Sequence, residues 1–192
     1  FSTNQTPKDW LDKAPFFGSI MSIKGRSFHE NIHTDRNCVR SGRRRKTVEY
    51  VAKAGFDAWD FSMFAMCDYD WRLGAVRPTT HPLAGENYLA FARKLKQIGL
   101  DNGITCNQSH APFPTSCPEI RSYFKRAIEC TAEAGGKICI IHPDNDRSAA
   151  ENAEMYLELL PFAKDCGVKI ATENMWNWMM RKTSPTLQHA PL

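Results

Sequence analysis

The chain has 192 residues, 25 Lys and Arg against 21 Asp and Glu for a net charge of +4, 42% hydrophobic and 24% charged residues, and 11 Gly and 11 Pro. These values are ordinary for one globular domain able to bury a sizeable core, and they exclude a disordered, collagen-like or coiled-coil chain. No apolar run approaches the roughly 20 residues that span a bilayer, and the opening FSTNQTPKDW lacks both the charged and the apolar region of a secretory signal, although a first residue other than Met leaves room for a missing upstream segment.

The seven cysteines (Cys38, Cys67, Cys106, Cys117, Cys130, Cys139 and Cys166) are odd in number, scattered, and include no CxxC pair. They read as reduced thiols of a cytoplasmic protein, mostly small core residues. The positive charge is weak and spread along the chain, so it does not by itself imply a nucleic-acid partner. Its one dense cluster is Arg40, Arg43, Arg44, Arg45 and Lys46.

From residue 15 onward one pattern recurs: a short apolar run, a polar loop, an amphipathic stretch, then Gly before the next apolar run. This is the signature of βα units and a parallel sheet. Strands are predicted over 16–23, 56–61, 104–109, 137–142 and 168–173, each short and apolar as expected beneath helices. Helices are predicted near 43–54, 86–99, 118–134 and 149–166. In the third, Ile120, Phe124, Ala127, Ile128 and Thr131 fall on one face; in the fourth, Met155, Leu159, Phe162 and Cys166 do the same. Gly55, Gly103, Gly135 with Gly136, and Gly167 follow the helices, where a left-handed cap residue is wanted. The long link over 62–85, rich in Trp, Tyr, Pro and Asp, reads as an active-site loop. The polar, Pro-punctuated stretch after Glu173 carries no further strand signal. Residues 1–192 thus form a single α/β domain of five βα-like units, whereas a complete eight-fold barrel takes about 250 residues. Either this is a truncated barrel or the sheet is open and doubly wound.

Three predicted strands end in a candidate metal ligand: NQSHAP at His110, IIHP at His142 and ATEN at Glu173. In a parallel barrel such groups collect at the C-terminal strand ends, because all those ends open onto one face. Two imidazoles and a carboxylate converging there suit Zn²⁺, Mn²⁺ or a similar divalent ion. Any one of the three fits equally well a strand-end side chain bonded to loop backbone or water. Repetition of the placement in three consecutive units favours a site, and with it the barrel.

AGFDAWDF, GLDNGITCNQSHAPFP, GGKICIIHP and CGVKIATENM resemble, in order and spacing, strands two to five of the xylose isomerase-like TIM barrels. That superfamily includes the sugar phosphate isomerases and epimerases and the endonuclease IV type of abasic-site nucleases. The resemblance covers about residues 15–178 and implies a TIM (βα)8 barrel truncated to about five units. It also implies roles. Glu173 matches the carboxylate that binds the divalent metal in the isomerases and bridges metals in the nucleases. His110 and His142 match histidines that ligate metal in the nucleases and more often line the substrate pocket in the isomerases. Asp60 falls where many members have an acidic residue ending strand two, which a carboxylate bonded to a loop amide explains equally well. The Asp and His after strand six, the His after strand seven and the Glu after strand eight have no counterpart here. His189, in a Pro-flanked stretch without a preceding strand, is assigned to none of them.

Weaker candidates are Trp176 and Trp178, which follow the EN motif and suit either an apolar wall for a sugar face or core packing. Trp71, Tyr69 and His81 either cover a substrate or pack the long loop, and Arg43 to Lys46 form either a phosphate grip at a helix start or a solvated charged turn. No P-loop, GxGxxG or GxSxG is present. The leading expectation is a metal-dependent isomerase or epimerase of a small sugar, polyol or sugar phosphate, using Mn, Zn, Co or Mg and moving a proton through an enediolate. Glu173 and His110 are its expected catalytic residues, His142, Trp176 and Asp60 its substrate contacts, and His110, His142 and Glu173 its metal ligands. An abasic-site endonuclease is the alternative, disfavoured by the modest net charge. A third reading is a non-catalytic fragment or a homo-oligomer that covers exposed sheet edges.

Overall fold

The computed structural model describes residues 20–23, 26–29, 43–174, 176–177 and 182–183, with side chains over 47–174. Strand β1 (Ile20–Ile23) pairs antiparallel with β2 (Arg26–His29) and packs beside the first strand of the parallel sheet, with no parallel pairing of its own among the described residues. Helix α1 (Arg43–Lys53) leads into β3 (Ala58–Ser62). The 62–85 stretch then holds a 3₁₀ turn at Phe64–Met66 and a hairpin of β4 (Asp68–Asp70) and β5 (Ala75–Arg77). Helix α2 (Tyr88–Asp101), β6 (Thr105–His110), α3 (Pro118–Arg121), α4 (Phe124–Glu133), β7 (Ile138–Ile140), α5 (Ala149–Asp165) and β8 (Lys169–Ala171) follow. Two short strands, β9 (Trp176–Asn177) and β10 (Lys182–Thr183), pair antiparallel where the sequence carries no strand signal; two residues are too few to create one.

Strands β3, β6, β7 and β8 form one parallel sheet in that order. Neighbours in sequence are neighbours in the sheet, without the reversal that marks a doubly wound fold, and this is the order of a barrel. Helices α1, α2, α4 and α5 pack against one another in the same sequence, as successive right-handed crossovers require. Between the sheet and this helical layer lies a core that includes Trp59, Phe61, Ile104, Phe124, Ile128, Cys139 and Val168.

Local chemistry explains several boundaries. The helix expected over 118–134 is interrupted at Ser122 and Tyr123, where the Ser122 hydroxyl donates to the Glu119 carbonyl and takes up a helical acceptor. Helix α5 opens on a capping box: Ser148 accepts from the Glu151 amide while the Glu151 carboxylate accepts from the Ser148 amide. Gly103 and Gly167 end α2 and α5 at φ of 75° and 67°, left-handed values that a side chain resists. Gly99 has a different reason: a Cβ there would stand 2.9 Å from both the Ile104 carbonyl oxygen and Trp59 Nε1, so α2 reaches the sheet only because this residue has no side chain. Among the described residues, no helix is long and apolar enough to cross a membrane.

Candidate metal centre

Alternation along β3 and β6 sets which side chains face away from the helices. Trp59 lies against α2, and Ser109 is hydrogen-bonded to Thr131 of α4, so Asp60 and His110, each one residue along, point to the opposite face. An irregularity in register adjusts this. Trp59 pairs with Cys106, but Asp60 pairs with Gln108, leaving Asn107 as an extra residue. The bulge keeps Asp60, Gln108 and His110 on the same face, a common use of bulges beside functional sites.

Asp60 is fully buried, and its carboxylate accepts from Gln108 Nε2 at 2.8 Å and faces His110 Nδ1 at 3.1 Å. Nδ1 therefore carries a proton toward Asp60, which turns Nε2 of His110 toward Glu173 Oε1, 3.5 Å away. The other carboxylate oxygen of Glu173 lies 3.7 Å from Nδ1 of buried His142. One ligand atom from each of His110, His142 and Glu173 lies within 4.8 Å of the others.

The electrostatics differ between the two imidazoles. Burial disfavours the His110 cation, but hydrogen bonds with Asp60 and Glu173 outweigh it and push the pKa up to about 9. Burial and the neighbouring His110 push His142 down to about 4, so His142 is neutral near pH 7. Its buried Nδ1 makes no hydrogen bond among the described residues. A buried imidazole nitrogen with no hydrogen-bond partner among the described residues, beside a second imidazole and a carboxylate, fits a divalent cation. Metal–ligand bonds of about 2.0–2.1 Å need donors closer than the 3.5 and 3.7 Å imidazole–carboxylate separations and the 4.8 Å limit of the set, so these side chains would draw together to hold an ion. The Asp60–His110 contact is the outer partner that metal-bound histidines generally have.

The structure thus brings together three of the five residues singled out from sequence, His110, His142 and Glu173, and sets Asp60 directly behind His110. Both Asp60 oxygens face protein groups, so the geometry gives this carboxylate to His110 and Gln108, whereas the sequence reading gave it to the substrate. Trp176 lies in β9, but its side chain, like those of Arg43 to Lys46, is outside the described residues, as are Arg40, Trp178 and His189 entirely. Gln108 was missed; its alternation with His110 on a strand is the signal that could have found it. Phe64 and Phe113 were missed as well. The Phe64 ring centroid lies 6.4 Å from that of His110 and 6.3 Å from that of His142, and Phe113 meets His142 edge-on at 5.3 Å. Nothing in their local sequence distinguishes them from core residues.

A singly wound parallel sheet, with helices on one face and His, His and Glu gathered at adjoining C-terminal strand ends, is the arrangement of a βα-barrel whose chemistry sits on that rim. Residues 48–190 match the family model described as xylose isomerase-like TIM barrel, and the chain belongs to this family. A search of curated proteins gave no match. Among solved structures, the chain is similar to a D-tagatose 3-epimerase-like protein, with 23% identity, a TM-score of 0.47, and 68% of this chain and 48% of that one covered. It is also similar to a D-psicose 3-epimerase in the presence of D-fructose (16% identity, TM-score 0.48, 72% and 49% covered). A third is a sugar phosphate isomerase/epimerase from Parabacteroides distasonis (16% identity, TM-score 0.43, 74% and 49% covered). The chain spans about half the length of these structures.

Proposed function

We propose that this chain carries the metal-binding strand ends of an isomerase or epimerase that moves a proton beside the carbonyl of a small sugar, polyol or sugar phosphate. The observation that supports it is the convergence of His110, His142 and Glu173, with Asp60 fixing the tautomer of His110. The solved structures similar to this chain include proteins described as sugar epimerases, in keeping with the same substrate class. When bound, a divalent ion such as Mn²⁺, Zn²⁺, Co²⁺ or Mg²⁺ supplies a Lewis acid for a carbonyl and its neighbouring hydroxyl.

The remaining work falls to side chains. Asp60 holds the Nδ1 proton of His110 and so presents Nε2 to the cleft. His142 stays neutral and offers Nδ1. Glu173, whose side chain is 34% exposed, is the member of the trio most accessible to a small molecule. His110 Nε2 and Glu173 Oε1 stand 3.5 Å apart, looser than a hydrogen bond; the proton between them gives way to the metal, and a carboxylate then moves the substrate proton. The six described cysteines are free thiols, which suits a cytoplasmic setting.

Elemental analysis of the purified protein beside Glu173→Gln tests this reading, together with exchange of substrate carbon-bound protons into deuterated solvent. About one divalent ion per chain, lost in the variant, and exchange with at least one sugar are expected. An intact metal site without exchange across a sugar panel would sink the isomerase reading. The same trio also suits a nuclease that activates water against a phosphodiester. Two or three ions per chain and steeply salt-dependent binding to abasic duplex DNA would favour that alternative.

A further inference from the structure

A ladder of aromatic rings leads from the two histidines out to solvent. His142 meets Phe113 at 5.3 Å, Phe113 meets Trp71 at 5.8 Å, and Trp71 meets Tyr69 edge-on at 5.0 Å. Exposure rises along it: His142 is buried, Phe113 is half-buried, and Trp71 is 68% exposed. Trp71 sits in the turn of the β4–β5 hairpin, and that turn is braced on every side. Asp70 Oδ1 accepts from the amides of Arg72 and Leu73, the Gly74 amide donates to the Asp70 carbonyl, and Gly74 adopts φ 64°. Arg77 bridges Asp68 and Asp70 at 3.0 Å each, on the hairpin face opposite Tyr69.

A large indole left exposed on a rigid turn is already in its bound orientation, so a ligand that covers it loses little conformational freedom. Its inner neighbour, Phe113, meets a candidate metal ligand, so the aromatic pair adjoins the site. The faces of Phe113 and Trp71 are apolar, whereas His110, His142 and Glu173 offer polar groups. A molecule that matches both carries an apolar C–H face on one side and oxygens at the other end, which describes a sugar or polyol.

We propose that Trp71, with Phe113, forms the outer wall of the substrate cleft and determines specificity by stacking against the C–H face of a sugar whose oxygens point to His110, His142 and Glu173. This rests on the reading of the site as a sugar isomerase or epimerase, and the test separates the two.

Metal-loaded wild-type protein, Trp71→Ala and Trp71→Phe are compared for metal content by elemental analysis. D-fructose, D-xylulose and D-sorbitol serve as probes for saturation transfer from aromatic protein protons to sugar C–H protons, and KM and kcat are measured for any probe that turns over. The expected result is wild-type metal content in all three proteins, saturation transfer that is lost in Trp71→Ala and restored in Trp71→Phe, and a KM raised about five- to tenfold in Trp71→Ala with kcat within about twofold. Full metal content with saturation transfer and KM unchanged in Trp71→Ala overturns the role of Trp71 and leaves the function standing. Absence of metal from the wild type, with sugar contacts at Trp71 intact, overturns the metal-dependent reading and leaves the aromatic wall. No contact with any probe overturns the wall, as does a wild-type dimer that Trp71→Ala converts to monomer, since a second copy would then cover the indole.

Discussion

Replacement of Asp60 by Asn tests the central geometric claim, that a buried carboxylate sets the tautomer and basicity of His110. The side chain is isosteric and fully enclosed, so shape is kept while the charge is removed. Two hydrogen bonds change character. The 3.1 Å contact with His110 Nδ1 becomes neutral, and the 2.8 Å contact with Gln108 Nε2 survives only if one of the two amides turns over. Loss of an outer partner of a metal-bound histidine typically weakens the metal about 10- to 100-fold, or about 1.4–2.8 kcal/mol at 1.4 kcal/mol per factor of ten. A hydrogen bond to a charged group is worth about 1.5–3 kcal/mol, which overlaps that range independently. Competition of the folded protein with a chelator at fixed pH measures the affinity. Imidazole nitrogen NMR of the metal-free protein should show the His110 pKa falling from its raised value, since Asp60 is the first of the groups that raise it. An Asp60→Asn protein that binds metal within about threefold of the wild type, below the typical effect of an outer partner, refutes the assignment.

Other consequences follow from the same contacts. A His110 pKa of about 9 means that metal must displace a proton at neutral pH, so apparent affinity should rise about tenfold per pH unit up to about pH 9, and titration calorimetry in buffers of different ionisation enthalpy should report about one proton released. In the metal-free protein the raised His110 contributes stability that is complete below pH 6.5 and lost as pH rises through about 9. The depressed His142 contributes stability that is complete above pH 6.5 and lost as pH falls through about 4; together they place a maximum near pH 6.5 in urea midpoints, and a monotonic profile would contradict the pair. Arg126 donates to the carbonyls of Leu83, Ala84 and Gly85 at 2.8–3.3 Å and lies over the rings of Tyr88 and Tyr123, so Arg126→Met should cost about 2–4 kcal/mol and open the 62–85 loop to protease; an unchanged cleavage pattern would show that the loop is held elsewhere. Gly99→Ala should destabilise by about 1–3 kcal/mol in thermal or urea melts, because overpacking against Trp59 and Ile104 exceeds the gain in helix propensity of about 1 kcal/mol at most; a stabilised variant would show that α2 can shift.

Much of this architecture was legible from residue types because local chemistry dictates it. The short apolar runs, the one-sided helices and the glycines that end them required only near neighbours, and four of the five predicted strands lie in the parallel sheet. Of the first, predicted over 16–23, the described part Ile20–Ile23 is a strand that pairs with Arg26–His29 in a hairpin, and no local signal separates a hairpin strand from a sheet strand when both are short and apolar. His110, His142 and Glu173 were readable as strand-end residues because the βα repeat places every strand end on one face. Their convergence was an expectation from that shared face; the distances between them were not readable, since they depend on the register of three strands and on the bulge at Asn107, which is a property of paired backbones. The same holds for the partner of Asp60. Sequence located a carboxylate at the end of a strand, but only the parallel pairing of β3 with β6, across 50 residues of chain, decided that it faces an imidazole rather than a loop amide or solvent. The aromatic ladder is the extreme case, for Tyr69, Trp71 and Phe113 come from a hairpin strand, a hairpin tip and a strand-end loop. Composition and periodicity determined that this chain folds into βα units with polar groups on one rim, because these follow from hydrophobic burial and backbone hydrogen bonding over a few residues. Tertiary structure alone decided which of those groups share a charge, because the field at a side chain is set by whatever the rest of the fold brings within a few ångströms of it.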